Sequence, residues 1–511
     1  VKAKPHVLIT LLLLAATVFM NFTAPAQKKP NVILIYADDL GYGDLGCYGA
    51  SKLSTPRIDQ LAGGGMKFTN GHTTSATCTP SRYGLITGTY PWRQNGTGVL
   101  PGDAALIISP NKTTLATEFK NAGYKTGVVG KWHLGLGNRI DKNWNNEITP
   151  GPNEVGFDYS FIFPATADRV PTVFIENHFV IGLDKNDSLQ TDYKKQIGNE
   201  PTGKEHPELL KMLSSPGQGH DQTIVNGIGR IGYMSGGKKA RWTDEELSLS
   251  FLTKAKAFVS KNKTNPFFLF FALTEPHVPR MPATIFKGKS GLGYRGDAIL
   301  QMDWTVGEIL DHLKNLGLDK NTILIFTSDN GPVLDDGYQD GAVTLLNGHT
   351  PAGILRGGKY SIFEAGTRVP WIISWPSKIK PGVSDALISQ VDLAASFARF
   401  LKQKIPVTDA IDSEDQWDAL IGKSKKGRSI LVEHAGTLSV IKENWKYIEP
   451  GIGISYYKET AIETGNNKEP QLYDLSRDLP EKNNLAATFP DIVQELAALL
   501  KSIKEKNEVS K

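Results

Sequence analysis

The stretch Val32-Ile33-Leu34-Ile35-Tyr36-Ala37-Asp38-Asp39-Leu40-Gly41 is an apolar run that breaks abruptly into two adjacent carboxylates and a glycine turn. Such a run has no polar face, so a strand here must be covered on both sides, as in a parallel sheet held between helices. Three more runs behave alike. Residues 127–130 open onto Lys131-Trp132-His133, residues 266–273 onto Thr274-Glu275-Pro276-His277, and residues 322–327 onto Ser328-Asp329-Asn330-Gly331. Helical patterns lie between them. Over residues 298–316, Ile299, Met302, Val306, Ile309, Leu310 and Leu313 follow one stripe, and Gly317 ends it. Alternating strands and helices predict an α/β sandwich, in which ligands gather beyond the carboxyl ends of the strands. The four charged turns therefore belong to one edge and are read as one site.

Outward from this core the pattern weakens. Residues 138–242 are rich in Gly, Asn, Lys and Pro, and read as a surface insertion that shapes a pocket. A helix is expected over 388–402. From residue 429 onward, short strands (430–433, 438–441, 445–448) and a helical tail (490–504) predict a smaller α+β domain. At 511 residues the chain exceeds what one core supports, which divides it into a main domain at 27–427 and a second at 428–511. Residues 1–26 read as a cleaved signal peptide: Lys2 and Lys4, an apolar stretch over 7–20 too short to span a bilayer, and Ala24-Pro25-Ala26. The protein is thus expected to be exported, periplasmic or secreted, without stable membrane insertion. The formal charge of +4 comes without a Lys/Arg run or an aromatic-basic stripe, which argues against nucleic acid as a partner. Two cysteines occur, Cys47 and Cys78. A bridge between them is formally possible.

The segment Cys78-Thr79-Pro80-Ser81-Arg82, followed by Leu85-Ile86-Thr87-Gly88, argues against that bridge. It resembles the signature of the formylglycine-dependent (type I) sulfatases, a Cys-x-Pro-Ser-Arg core with a downstream Leu-x-Thr-Gly. In that family a separate maturation enzyme oxidises the cysteine to an aldehyde. A thiol attacking sulfur would leave an adduct that is awkward to release. A hydrated aldehyde has two hydroxyls, one to attack and one whose deprotonation expels sulfate. Pro80 and Ser81 suit a helix start whose amides favour an anion, and Arg82 lies one turn on.

Asp38 and Asp39, with Asp329 and Asn330, offer only oxygen donors, which favour a hard cation such as Ca²⁺ or Mg²⁺ over Zn²⁺. The family's metal site matches these positions, and the resemblance implies that Asp38, Asp39, Asp329, Asn330 and the modified Cys78 hold calcium, with magnesium second. Gly130-Lys131-Trp132-His133-Leu134-Gly135 is similar to the family's Gly-Lys-Trp-His-Leu-Gly element. The resemblance makes Cys78, Arg82, Lys131, His133, His277 and Lys359 the catalytic set. His277 is expected to protonate the leaving oxygen, Lys131 and Lys359 to neutralise sulfuryl charge, and His133 to support formylglycine and help deprotonate its second hydroxyl. Asp44 is read as a turn residue. His178, Arg169, His220, Arg280, His349 and Arg356 could contact a substrate ring or a neighbouring carboxylate, and are read in the first place as solvated surface.

The resemblance covers residues 31–486, with Leu472-Tyr473-Asp474-Leu475 matching a C-terminal family element. It implies an alkaline-phosphatase-like sandwich with a large mixed, mostly parallel sheet. It also implies a sulfuric ester hydrolase acting on a sulfated carbohydrate, with ulvan, carrageenan and glycosaminoglycans all open. Two alternatives stand beside it: a phosphoesterase or phosphonate hydrolase of the same superfamily, and a non-catalytic glycan-binding homologue.

Overall fold

In the computed structural model, residues 29–138 and 142–506 are described; the expected signal peptide lies outside them. The central sheet has ten strands: β1 (Asn31–Ala37), β2 (Met66–Phe68), β3 (Lys125–Lys131), β4 (Tyr159–Phe163), β5 (Ile175–Glu176), β6 (Phe179–Val180), β7 (Phe267–Ala272), β8 (Thr322–Ser328), β9 (Trp371–Ser374) and β10 (Gly382–Ser384). Their spatial order is β10-β2-β9-β8-β1-β7-β3-β4-β5-β6. The inner five, β8-β1-β7-β3-β4, all run parallel, with antiparallel strands next to them on either side. This is the mixed, mostly parallel sandwich expected from the sequence.

Alternate side chains of the apolar strands feed two cores. Val32, Leu34, Val128, Phe268 and Ile325 pack with Leu115 and Phe119 of α3 (Leu115–Asn121) and Phe397 of α6 (Leu393–Leu401). Ile33, Ile35, Val129, Leu269 and Phe326 pack on the other face. Their partners there come from α1 (Pro56–Gly63), α4 (Leu247–Lys261) and α5 (Gly293–Asn315). Burial on both faces is why these strands carry no polar alternation. Register pairs Ala37 with Ser328 and Tyr36 with Ala272, so β1, β7 and β8 end together. Among the described residues, no helix is long and apolar enough to cross a membrane.

Two helices differ from expectation. The one expected from residue 298 begins at Gly293 as α5. Its first turns bury Arg295 against Asp44, and Asp297 against the Ser290 amide and hydroxyl, so no apolar stripe marks them. The one expected over 388–402 begins as a strand pairing Ile388 with Gly71, and becomes α6 only at Leu393. Gln390 pins the bend, its amide bonded to the Tyr36 hydroxyl at 2.5 Å and the Ser328 carbonyl at 2.7 Å. The 138–242 insertion is not a plain surface loop either. It supplies β4, β5 and β6 to the sheet and buries Arg230 in a two-pronged pair with Asp244 at 3.0 and 2.6 Å.

Beyond residue 429 a second sheet is fully antiparallel. It comprises β11 (Ile430–His434), β12 (Leu438–Lys442), β13 (Trp445–Ile448) and, after the small hairpin β14 (Tyr456–Tyr457) and β15 (Ile462–Glu463), β16 (Gln471–Asp474). Helix α7 (Pro490–Glu505) covers it through Leu496 and Leu500, which share a core with Val440, Leu472 and Tyr90. A fully buried ionic cluster lies between this sheet and the main body. Lys446 Nζ reaches Glu364 at 2.9 Å, Glu433 at 3.2 Å and Glu481 at 3.4 Å, and His72 Nδ1 sits 2.8 Å from Glu433.

Among the described residues, Glu118, buried in α3, finds no hydrogen-bond partner for either carboxyl oxygen, and burial pushes its pKa up to about 9. The folded state therefore keeps a proton that the unfolded chain releases above about pH 4.5, and stability falls as pH rises from there toward the folded pKa. Glu118→Gln removes this penalty. Thermal unfolding should show a gain of about 1 kcal/mol or less at about pH 5 and of roughly 4–5 kcal/mol at about pH 8. A gain independent of pH would refute the assignment.

Candidate active site

The four strand-end turns meet as expected. Asp38 follows β1 and receives Lys131 Nζ, from the end of β3, on both carboxylate oxygens at 2.8 and 2.7 Å. Asp39 has a left-handed backbone (φ 62°), which turns its carboxylate back over the strand end. There it accepts from Asn330 Nδ2 at 2.7 Å and from Lys359 Nζ at 2.9 Å. Asp329 follows β8, and its Oδ2 accepts Arg82 Nε and Nη2 at 3.1 and 2.8 Å. The Arg82 guanidinium also donates to the Lys131 carbonyl, so it braces the site from below.

Cys78 is the first residue of α2 (Cys78–Thr87). Its thiol lies 3.9 Å from Asp38 Oδ1. It is 1% exposed, and burial raises its pKa to about 12, so it is not an ionised nucleophile as it stands. Both cysteines are free, and the formally possible bridge is not formed.

Each histidine is fixed by one backbone bond, and this assigns its tautomer. His133 Nε2 donates to the Leu100 carbonyl at 2.9 Å, leaving the lone pair on Nδ1, which is buried and has no partner among the described residues. His277 Nδ1 donates to the Val278 carbonyl at 2.7 Å, leaving Nε2 facing Asp39 at 3.7 Å. Burial, reinforced by Lys131 for His133 and by Lys359 for His277, holds both rings well below the usual histidine pKa. Burial also opposes the charge on Lys359, but Asp336 and Asp39 outweigh it and keep the ammonium firmly protonated.

Donor atoms of Asp38, Asp39, Cys78 and His277 lie within 4.8 Å of one another, a buried acidic cluster suited to a metal. Two observations fit a cation. Burial and the neighbouring Asp329 push the Asp38 pKa well up despite Lys131, so the cluster carries uncompensated repulsion. Asn330 Oδ1 is buried with no hydrogen-bond partner among the described residues, although the same amide's nitrogen is bonded. A metal would satisfy both.

The site opens into a cavity of about 390 Å³ lined by Cys78, His133, His277 and Lys359. Asp168, Arg169, His220, Asp336 and Tyr360 are among the further residues that line it. Arg169 and His220 are thus not solvated surface. Asp168 is buried, accepts Arg169 Nη1 at 2.9 Å and bonds His220 Nε2 at 3.0 Å. The His220 ring rests on Gly337, where a Cβ would come within 2.1 Å of it, so only glycine leaves the ring room. Asp336 takes Lys359 Nζ at 2.7 Å and the Tyr360 hydroxyl at 3.1 Å.

The surface reading fails elsewhere as well. Arg280 is buried against Asp340 at 2.6 Å, and His349 against Asp44 at 2.8 Å. The partners of both are remote in sequence. Asp44, gripped by Arg295 and His349, is structural as expected. His178 and Arg356 remain partly exposed, paired with Glu154 and Glu463. Aspartate, arginine and histidine without periodicity gave no signal for the second layer of the pocket.

Known proteins are similar to this chain over most of its length. An N-acetylgalactosamine-6-O-sulfatase from Bacteroides thetaiotaomicron is 55% identical over 480 residues, covering 94% of both chains. Human arylsulfatase A is 30% identical over 493 residues, covering 92% of this chain and 87% of its own. A solved structure from work on glycosaminoglycan metabolism in Bacteroides thetaiotaomicron matches with a TM-score of 0.92 at 55% identity. It covers 94% of this chain and 100% of that one. The sulfatase family model matches residues 30–402, and the chain belongs to the sulfatase family.

Proposed function

We propose that this sulfatase releases sulfate from a sulfated amino sugar of a polysaccharide, of the N-acetylgalactosamine 6-sulfate kind, after export from the cell. The observation that carries the reading is the convergence of Cys78, His133, His277 and Lys359 on one pocket above a buried acidic cluster. The named activity of the 55% identical relative supports the choice of sugar. Asp38, Asp39, Asp329, Asn330 and position 78 would hold calcium, and a maturation enzyme would convert Cys78 to formylglycine. Together these groups would supply a cation for the sulfuryl oxygens and a hydroxyl pair for attack and release.

The remaining work falls to residues with fixed geometry. Lys131 and Lys359 are buried ammonium groups that match the negative charge of a sulfate ester without reorganising. His133 lines the pocket with Nδ1 unprotonated, and can accept a proton from a hydroxyl at position 78. His277 offers Nε2, which must be protonated to serve the leaving oxygen. An anionic ester in the pocket favours that proton by offsetting the nearby lysines. Asp168, Arg169 and His220 supply charged and hydrogen-bonding groups for the sugar's hydroxyls.

His277→Ala should lower kcat/KM for a sugar sulfate by about 10³-fold, and for an activated aryl sulfate by roughly tenfold or less. Alkoxide leaving groups need the proton and nitrophenolate does not. Equal losses on both would remove His277 from the acid role. The reading as a whole is tested by free sulfate released from the 4-sulfate and 6-sulfate of N-acetylgalactosamine and the 6-sulfate of N-acetylglucosamine. Turnover of the matching phosphate esters in preference would favour the phosphoesterase alternative.

A further inference from the structure

The carboxylates of the site outnumber its cations. Lys131 pairs with Asp38 at 2.7 Å, Arg82 with Asp329 at 2.8 Å and Arg169 with Asp168 at 2.9 Å. Lys359 serves two carboxylates, reaching Asp39 at 2.9 Å and Asp336 at 2.7 Å. His133 and His277, held well below the usual histidine pKa, add no charge. Glu459, on the β14–β15 hairpin at the mouth, is exposed, and solvent screens it. Among the described residues of the site, one carboxylate is therefore left without a cation of its own.

That excess faces the substrate space. The Asp39 side chain is 1% exposed and belongs to the acidic cluster below, whereas that of Asp336 is 13% exposed and lines the cavity. Asp336 is clasped through both oxygens: Oδ2 accepts Lys359 Nζ, and Oδ1 accepts the Tyr360 hydroxyl at 3.1 Å. Tyr360 has a left-handed backbone (φ 72°), rare for an aromatic residue, and its amide donates to the Ala76 carbonyl at 2.8 Å. Burial opposes the charge on Asp336, but Lys359 outweighs it and holds the carboxyl below its usual range.

A fixed charge acts on an anion in proportion to that anion's own charge. A sulfate monoester carries a single negative charge. The inorganic sulfate it releases carries twice that, as does a phosphate monoester above about pH 7. We propose that Asp336 makes the pocket selective for a singly charged ester, so that it favours release of the doubly charged product and disfavours phosphate esters. The proposal rests on the desulfation reading above and adds the residue that sets charge selectivity. A bound cation adds the same field to parent and variant, so its charge drops out of a comparison between them.

Methanesulfonate and inorganic sulfate, singly and doubly charged, test this on the whole matured chain. Competition with an aryl sulfate gives their inhibition constants, and the melting-temperature shift each produces gives their binding without turnover. Asp336→Asn keeps the side chain's shape and removes its charge. It should tighten inorganic sulfate about tenfold more than methanesulfonate, and raise kcat/KM for a phosphate ester over the matching sulfate ester by about tenfold. Asp336→Glu and Tyr360→Phe disturb the clasp but keep the charge, and should leave the anion ratio within about twofold of the parent. An unchanged ratio in Asp336→Asn makes the charge irrelevant and overturns the proposal. An equal shift in Tyr360→Phe assigns the effect to the placing of Lys359 and overturns it too. Loss of the fold, or of both anions, in Asp336→Asn makes the residue structural, with the same consequence. A parent that frees sulfate from no sugar sulfate removes the desulfation reading, whereas the melting-temperature ratio still decides the role of Asp336.

Discussion

Cys78→Ser, produced in a host that oxidises cysteine but not serine at this position, is expected to lose sulfate release by at least about 10⁴-fold. Its melting temperature should stay close to that of the parent. Cys78 is buried at the head of α2 and forms no disulfide, and its thiol lies 3.9 Å from Asp38 Oδ1. Serine fills the same space, so the fold loses little. What it lacks is the second hydroxyl of an aldehyde hydrate, without which a sulfated nucleophile has no internal route to release. Peptide mass at position 78 supplies the control: the active parent should show the mass loss of cysteine-to-formylglycine conversion, and the variant none. Parent-like turnover by the serine variant would place the nucleophile elsewhere.

Asp39→Asn is expected to cost about 10³-fold in kcat/KM and to abolish stabilisation by calcium. The substitution keeps the shape of the side chain and removes its charge, beside Lys359 and the unsatisfied Asn330 Oδ1. The metal can be followed without activity. After chelation, calcium added to the parent at about 100 times its dissociation constant should contribute about 2.7 kcal/mol of stability. The variant should show no such gain at that concentration. A parent indifferent to calcium, yet stabilised by zinc, would mean that Cys78 and His277 govern the metal through softer donors.

The sequence was most legible where physics leaves little choice. Strands covered on both faces must be continuously apolar, so β1, β3, β7 and β8 stood out, and the turns after them had to share an edge. The residues at those turns, Asp38, Lys131, His277 and Asp329, converge accordingly. The pocket's outer layer was illegible for an equally physical reason. Asp168, Arg169 and His220 satisfy one another, and a buried polar network reads in sequence like solvated surface because its partners are specified only by the folded chain. The same holds for Arg295 and Asp44, whose pairing hides the first turns of α5 from any apolar stripe.

Lys446 gives the C-terminal sheet a particular standing. Its ammonium is enclosed by carboxylates from both layers, with no exposed atom on the lysine, Glu364 or Glu433 side chains. Prising the layers apart would return these ions to water but expose the apolar seam beside them, where Ala76, Ile362 and Phe363 of the main body share a core with Ile448 and Tyr473 of the sheet. Cleavage near residue 428 would therefore not liberate a self-sufficient fragment. Both parts should melt in one cooperative step, with the hairpin at the pocket's mouth held in place until the whole molecule gives way.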